Sequence, residues 1–347
     1  MTPATPLRVA VVGAGVFGRN HLRVYRELEQ AGADVRLAAV IDRDDAAAQA
    51  AAEKFGVPGF SSIEACLAGT QLDAASVCVP TVAHAESAAP LLTAGVDLLI
   101  EKPLAANLED ADRILSLAFE HNRIVQTGHL ERFNPAVTAA RKHLHQPMFF
   151  EAHRLSIFTP RSLDVDVVLD LMIHDLDIVL SLVDSPVREV RAVGLPVLSR
   201  KVDIANVRLE FVDGCVANFT ASRVSTERVR KLRFFQPHQY LSLDFARQDL
   251  LMIDVTAAAK LDPAQLAAMT QLLQASQQPG SHPSPGLSLS KVPVEPGEPL
   301  RLEIASFLEA VRNRTAPLVT GEDGRRALAL ALEINRAIAD HARRTGL

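Results

Sequence analysis

Residues 7–18 read LRVAVVGAGVFG, and the next strand-like run, VRLAAVID, occupies residues 35–42. Leu7 to Val12 is rich in β-branched residues, the composition of a buried strand. Gly13, Gly15 and Gly18 follow at G-x-G-x-x-G spacing, a helical pattern runs on to Gly32, and the second strand ends on Asp42. Strand, glycine turn, helix and strand in this order form the dinucleotide-binding fingerprint. Gly13 permits the tight turn, Gly15 lets backbone approach a pyrophosphate, and Gly18 allows close packing of helix on strand. The N–H groups of the first helical turn, around Val16 and Phe17, meet the phosphates with the positive end of the helix dipole. Asp42 falls where a carboxylate accepts hydrogen bonds from the ribose hydroxyls. That charge repels a 2′-phosphate and favours NAD. Arg43 beside it can stack on adenine or bind such a phosphate, which leaves NADP open.

The alternation continues. Ala74 to Val79 is strand-like before Pro80 and Thr81, and a helix starts near His84. Asp97 to Ile100 precedes Glu101-Lys102-Pro103, a helix spans about 108–122, and Ile124 to Thr127 leads to Gly128-His129. This pattern predicts a doubly wound parallel sheet, the Rossmann arrangement, with ligands beyond the carboxyl ends of its strands. Pro80, Thr81, His84, Glu101 and Lys102 join the glycine loop as candidate cofactor contacts.

Beyond residue 128 the pattern changes. Met148 to Ser156 is strand-like, and residues 165–183 read VDVVLDLMIHDLDIVLSLV. On an α-helix Asp170, His174 and Asp177 share one stripe of an otherwise apolar surface, and buried carboxylates must be paired or working. A satisfied core His–Asp pair and a catalytic pair both fit that stripe. Arg188–Val197, then Ile204–Phe211 and Val216–Ser222 around Asp213-Gly214, then Leu232–Phe235 and Tyr240–Phe245 read as successive strands. The expectation is an α+β domain with a large open, mostly antiparallel sheet, one face on the helix and the other in a homodimer or homotetramer. The division is 1–128 and 129–347, with the C-terminal helix free to pack back on the first domain. Residues 274–299, rich in Gln, Ser, Pro and Gly, read as a long loop. Two helices close the chain, and Thr320 is placed to cap the second.

With 347 residues, two domains are the natural division. A formal charge of -5 and no basic block argue against nucleic acid. Three scattered cysteines offer no metal-ligand spacing, so no metal is expected, and they suit a reducing cytoplasm. No run suggests a membrane span or signal peptide.

The order GAGVFG at 13–18, EKP at 101–103 and Asp170-x-x-x-His174 resembles the glucose–fructose oxidoreductase/inositol dehydrogenase (Gfo/Idh/MocA) family across essentially the whole chain. The segments GHLERFNP at 128–135 and IFTPR at 157–161 resemble its branch acting on UDP-N-acetylglucosamine, whose members oxidise the sugar 3-hydroxyl to a 3-keto nucleotide sugar. Many members carry a glycine-rich stretch before the aspartate, where this chain has Asp164-Val165-Asp166-Val167-Val168-Leu169. The resemblance implies Lys102, Asp170 and His174 as catalytic residues. An imidazole titrates near neutrality, so His174 is the candidate base. Asp170 would fix its tautomer, and Lys102 would stabilise the developing alkoxide or take the proton itself. His129, Arg132, Asn134 and His174 are candidates for the sugar, and Arg154 and Arg161 for the diphosphate. Dehydrogenation of UDP-N-acetylglucosaminuronic acid, of a free sugar or of inositol, and a silent NAD-binding sensor, stay as alternatives.

Overall fold

The computed structural model describes residues 5–158, 165–255, 264–265, 267–268 and 288–346. The chain divides into two compact units, Met1–Phe133 with Gly297–Leu332, and Asn134–Pro296 with Glu333–Leu347. The first unit runs to residue 133 where 128 was expected, and it takes in residues 297–332, which include the start of the C-terminal helix left free to pack back on it.

In the first unit, β1 (Leu7–Val12), β2 (Val35–Ile41), β3 (Gly59–Phe60), β4 (Ala74–Val77), β5 (Asp97–Glu101) and β6 (Val125–Gly128) form one sheet. Its order is β3-β2-β1-β4-β5-β6, and every neighbouring pair is parallel. Strand order reverses between β1 and β4, the switch point at which such sheets bind ligands. Val9 and Val11 of β1 pack with Leu22 and Tyr25 of the helix Val16–Gln30 and with Ile304 and Phe307 of the helix Pro299–Asn313. β4, β5 and β6 are buried along their whole length, so both of their faces are covered. Polar side chains start the covering helices: Asp44, Ser62 and Asn107 each accept from first-turn amides. Thr320 caps the helix Gly321–Thr345 as expected, its Oγ1 accepting from the Asp323 amide at 3.0 Å while Asp323 accepts from the Thr320 amide at 2.9 Å.

The second unit is built on an eight-stranded sheet: β7 (Phe149–Leu155), β8 (Val187–Leu195), β9 (Ile204–Phe211), β10 (Val216–Ser222), β11 (Val229–Gln236), β12 (Gln239–Asp244), β13 (Asp249–Asp254) and β14 (Ser288–Val292). Its order is β14-β13-β12-β11-β7-β10-β9-β8, with all pairs antiparallel except β7 with β10. β14 lies inside the stretch read from composition as a loop. Its alternation, Leu289 and Lys291 against Ser288 and Ser290, is too short and polar to stand out before pairing with β13 is known.

The apolar helix of 165–183 is not one α-helix. Val168–Met172 is a π-helical turn, and the α-helix proper is Ile173–Leu182. A π turn inserts one residue and shifts the helical phase, but in a run as uniformly apolar as this one the shift leaves no mark, and such turns gather at functional sites. Among the described residues no helix is long and apolar enough to cross a membrane.

Candidate active site

The glycine loop follows directly from β1. Gly13 has φ +99°, and a Cβ there would lie 2.7 Å from the Cys78 carbonyl oxygen; one on Gly18 would lie 1.7 Å from the Gly13 oxygen. Both positions therefore exclude larger residues. A Cβ on Gly15 would meet nothing within 4 Å, so the loop is open on that side. Gly15 also starts the helix Val16–Gln30, whose first turn has neither a capping side chain nor an acid. Its amides and dipole remain for an anionic ligand. Val16 and Phe17 are exposed beside it, as is Arg43. Asp42 accepts from the Ala14 amide at 2.7 Å through one carboxylate oxygen and from the Asp44 amide at 2.9 Å through the other. It thus ties β2 to the loop in addition to any bond with a ribose. These features fit the pyrophosphate and ribose of a dinucleotide.

At the neighbouring strand ends, Pro80 is exposed, Thr81 is half-buried, and Lys102 is half-buried with a cis bond to Pro103. His84 is buried. Its Nδ1 lies 3.0 Å from the Pro103 oxygen and its Nε2 3.0 Å from the Val79 oxygen. Both ring nitrogens thus face backbone carbonyl oxygens, and the ring does not stand open to a cofactor. Burial lowers the His84 pKa more strongly than these carbonyls and Glu101 raise it. A depressed histidine contributes stability that is fully present above the unfolded value, about 6.5, and lost as pH falls below it. Thermal unfolding of the wild type is expected to show a loss of Tm on acidification below about 6.5 that His84→Asn flattens. Parallel pH profiles of the two proteins would refute this.

Glu101 is also committed: its carboxylate accepts from His21 Nε2 at 2.9 Å, deep in the unit. Cys78 lies beside this pair, its sulfur within 4.8 Å of a ligand-type atom of each.

In the second unit, Asp170 lies on the π turn and His174 in the first turn of the following helix, both half-buried. Three substrate candidates have other duties. Arg154, 3% exposed, donates to both oxygens of Asp175 at 2.9 and 2.8 Å and lies over the Phe245 ring at 5.2 Å. A fork already holding a carboxylate in both arms is not open to a phosphate. Arg132, 8% exposed, donates to the Leu318 oxygen at 3.3 Å and faces Asp323 at 3.7 Å. Asn134, 2% exposed, caps its helix by accepting from the Ala136 amide at 3.1 Å and donates to the Phe245 oxygen at 3.1 Å. His129 is fully buried as well. Arg161 lies outside the described residues. The sequence reading missed Asp175, because helical spacing pointed to Asp170 and Asp177 and nothing local marks the partner of an arginine twenty-one residues away.

Comparison with known proteins agrees with this architecture. The oxidoreductase family with an NAD-binding Rossmann fold matches residues 7–129, and the GFO/IDH/MocA C-terminal domain matches residues 136–236. UDP-N-acetylglucosamine 3-dehydrogenase of Acidithiobacillus ferrooxidans is 34% identical over 333 residues, covering 96% of this chain and 97% of that protein. Its solved structure superposes with a TM-score of 0.83, covering 96% of this chain and 98% of the other at 33% identity. Inositol 2-dehydrogenase of Corynebacterium glutamicum is 31% identical over 181 residues, 50% of this chain and 53% of its own. A levoglucosan dehydrogenase in complex with NADH and L-sorbose, 17% identical, shares the fold with a TM-score of 0.81, covering 97% of this chain and 98% of its own. With an open, uncapped glycine loop at the switch point and a relative matched along nearly its whole length, the chain belongs to the Gfo/Idh/MocA family and is an NAD(P)-dependent oxidoreductase acting on a CH–OH group.

Proposed function

We propose that the protein oxidises the 3-hydroxyl of UDP-N-acetylglucosamine to the 3-keto nucleotide sugar. The observation that carries this reading is the 34% identity, over 96% of the chain, to an enzyme of that name. The Lys102, Asp170 and His174 set and the 128–135 segment support it. Bound NAD supplies the acceptor for the hydride that leaves the carbinol carbon. His174 takes the hydroxyl proton, Asp170 orients the imidazole and stabilises it once charged, and Lys102 stabilises the developing alkoxide. Arg161 is the guanidinium retained for the diphosphate. The 3-keto product is a substrate for an aminotransferase, which would place the protein in 3-amino sugar synthesis for lipid A or surface glycans.

Purified protein with NAD should form NADH on addition of UDP-N-acetylglucosamine, with an aminotransferase coupled to draw off product. UDP-N-acetylglucosaminuronic acid, free N-acetylglucosamine and inositol serve as parallel substrates. Faster turnover of any of these three would displace the proposed substrate, and no turnover of any would favour a sensor.

The cytoplasm, with its NAD pool and reduced thiols, suits the three free cysteines. We propose further that the protein self-associates through the second unit's sheet. Phe149, Phe235 and Tyr240 stack on the face opposite Phe150, Phe234 and Leu241, with Phe149–Phe235 and Phe235–Tyr240 centroids 5.4 and 4.9 Å apart. Phe235 and Leu289 remain 36% and 45% exposed there, an apolar surface suited to a second copy. Sedimentation should give a dimer or tetramer that Phe235→Glu dissociates; a monomer at micromolar concentration would end this proposal.

A further inference from the structure

Lys102 has a histidine-held neighbour on each side. Before it, Glu101 accepts from His21 Nε2 at 2.9 Å, and His21 is wholly buried in the helix that starts at the glycine loop. After it, His84 Nδ1 lies 3.0 Å from the Pro103 oxygen and 3.3 Å from the Leu104 oxygen, where an Nδ1–H donates to this segment. Burying an imidazole is unfavourable unless it holds defined polar groups, and a leucine would fill either space at less cost. Both rings hold the same short segment, and they hold it to different elements: one to the helix Val16–Gln30, the other to the helix His84–Thr93 that His84 opens. A strand-end residue between two such ties keeps its backbone in one place.

We propose that His21 and His84 are positioning residues that fix the placement of Lys102. The inference rests on the catalytic reading of Lys102 given above and extends it to two residues that touch no reacting atom. Its physical basis is the steep dependence of rate on placement, where a displacement of about 1 Å costs on the order of a hundredfold.

A metal centre is the competing account, since His21, Cys78 and Glu101 place one ligand-type atom each within 4.8 Å of one another. Burial, with the charges of Glu101 and Glu303 adding to it, holds the Cys78 thiol well above its ordinary pKa. His21 Nε2 and one Glu101 oxygen are already bound to each other at 2.9 Å. The pair is a hydrogen bond of the core with a protonated thiol beside it.

The test is steady-state kinetics on the full chain with NAD and whichever sugar substrate it turns over, for His21→Leu, His21→Gln, His84→Leu, His84→Asn and Lys102→Ala. NAD affinity and thermal unfolding are measured on each. The leucine variants should lose roughly 10- to 100-fold in kcat while KM and Kd for NAD stay within about threefold. The polar variants, which restore a donor near Nε2 of residue 21 or Nδ1 of residue 84, should recover most of the loss. Leucine variants that fold, bind NAD and keep kcat within about twofold would overturn the proposal, as would equal losses in leucine and polar variants. Should leucine prevent folding, His21→Ala and His84→Ala with added imidazole decide, since a positioning role predicts rescue of kcat and its absence refutes one. Stoichiometric zinc in the wild type that His21→Leu loses would replace the His21 half with a metal site. Full activity in Lys102→Ala would instead defeat the catalytic reading itself, and that outcome is separate from all the others.

Discussion

Lys102→Ala and His174→Ala are each expected to lower kcat by roughly 10²- to 10⁴-fold, the range supplied by a positioned acid, base or charge. NAD affinity should change little in either. The elements that fit a dinucleotide are the loop at Gly13, Gly15 and Gly18 and the uncapped helix that follows, and neither substitution alters these. Because both residues are only half-buried, truncation should leave Tm within about 1 kcal/mol worth of stability. Rates are read as NADH formation at saturating sugar, alongside NAD titration. If His174 is the base, His174→Ala flattens the acid limb of the kcat/KM profile; if Lys102 takes the proton, Lys102→Ala removes the corresponding step. Wild-type rates in both variants would refute these two assignments.

Arg154→Ala is expected to act on stability rather than recognition. The arginine and Asp175 form a two-armed pair in the interior, 3% and 2% exposed. Removing one partner strands the other charge, at a cost of about 3–5 kcal/mol. A loss of that size lowers Tm by many degrees and threatens soluble expression. The double variant Arg154→Met with Asp175→Leu should recover much of the loss, because an apolar pair of similar volume replaces a buried ion pair at little net cost. Urea unfolding of the three proteins provides the measurement. A phosphate ligand would behave in the opposite way, with an unchanged midpoint and a raised KM for the nucleotide sugar. The pair Arg223–Asp203 is built on the same plan: Asp203 also accepts from the amides of Val197, Leu198 and Ser199, which locks the turn between β8 and β9.

The contrast between these two experiments reflects how the site was legible. Lys102 could be placed from the sequence because a strand end is set by local composition, and the switch point by the order of strands. Asp42 was placed correctly at the end of β2, yet its bonds to the Ala14 and Asp44 amides depend on how the loop folds back. Arg132, Asn134 and Arg154 looked like ligands because a polar residue in a sequence carries no record of whether it is buried. Each proved to be holding structure: a loop carbonyl and Asp323, a helix cap, and a buried carboxylate.

By itself the chain's order of residues determined the parallel sheet, the glycine loop, the ends of β1, β2, β9 and β10, and the cap at Thr320, all of which depend on neighbours a few residues away. Only the tertiary structure decided that residues 297–332 join the first unit, that Ser288–Val292 pairs as an edge strand, that Val168–Met172 winds as a π turn, and that His21 meets Glu101 across eighty residues. The reason is physical. Hydrophobic periodicity and turn chemistry act over one or two turns of chain, whereas ion pairs and buried hydrogen bonds are chosen by what packing brings within 3 Å, and that selection has no local signature.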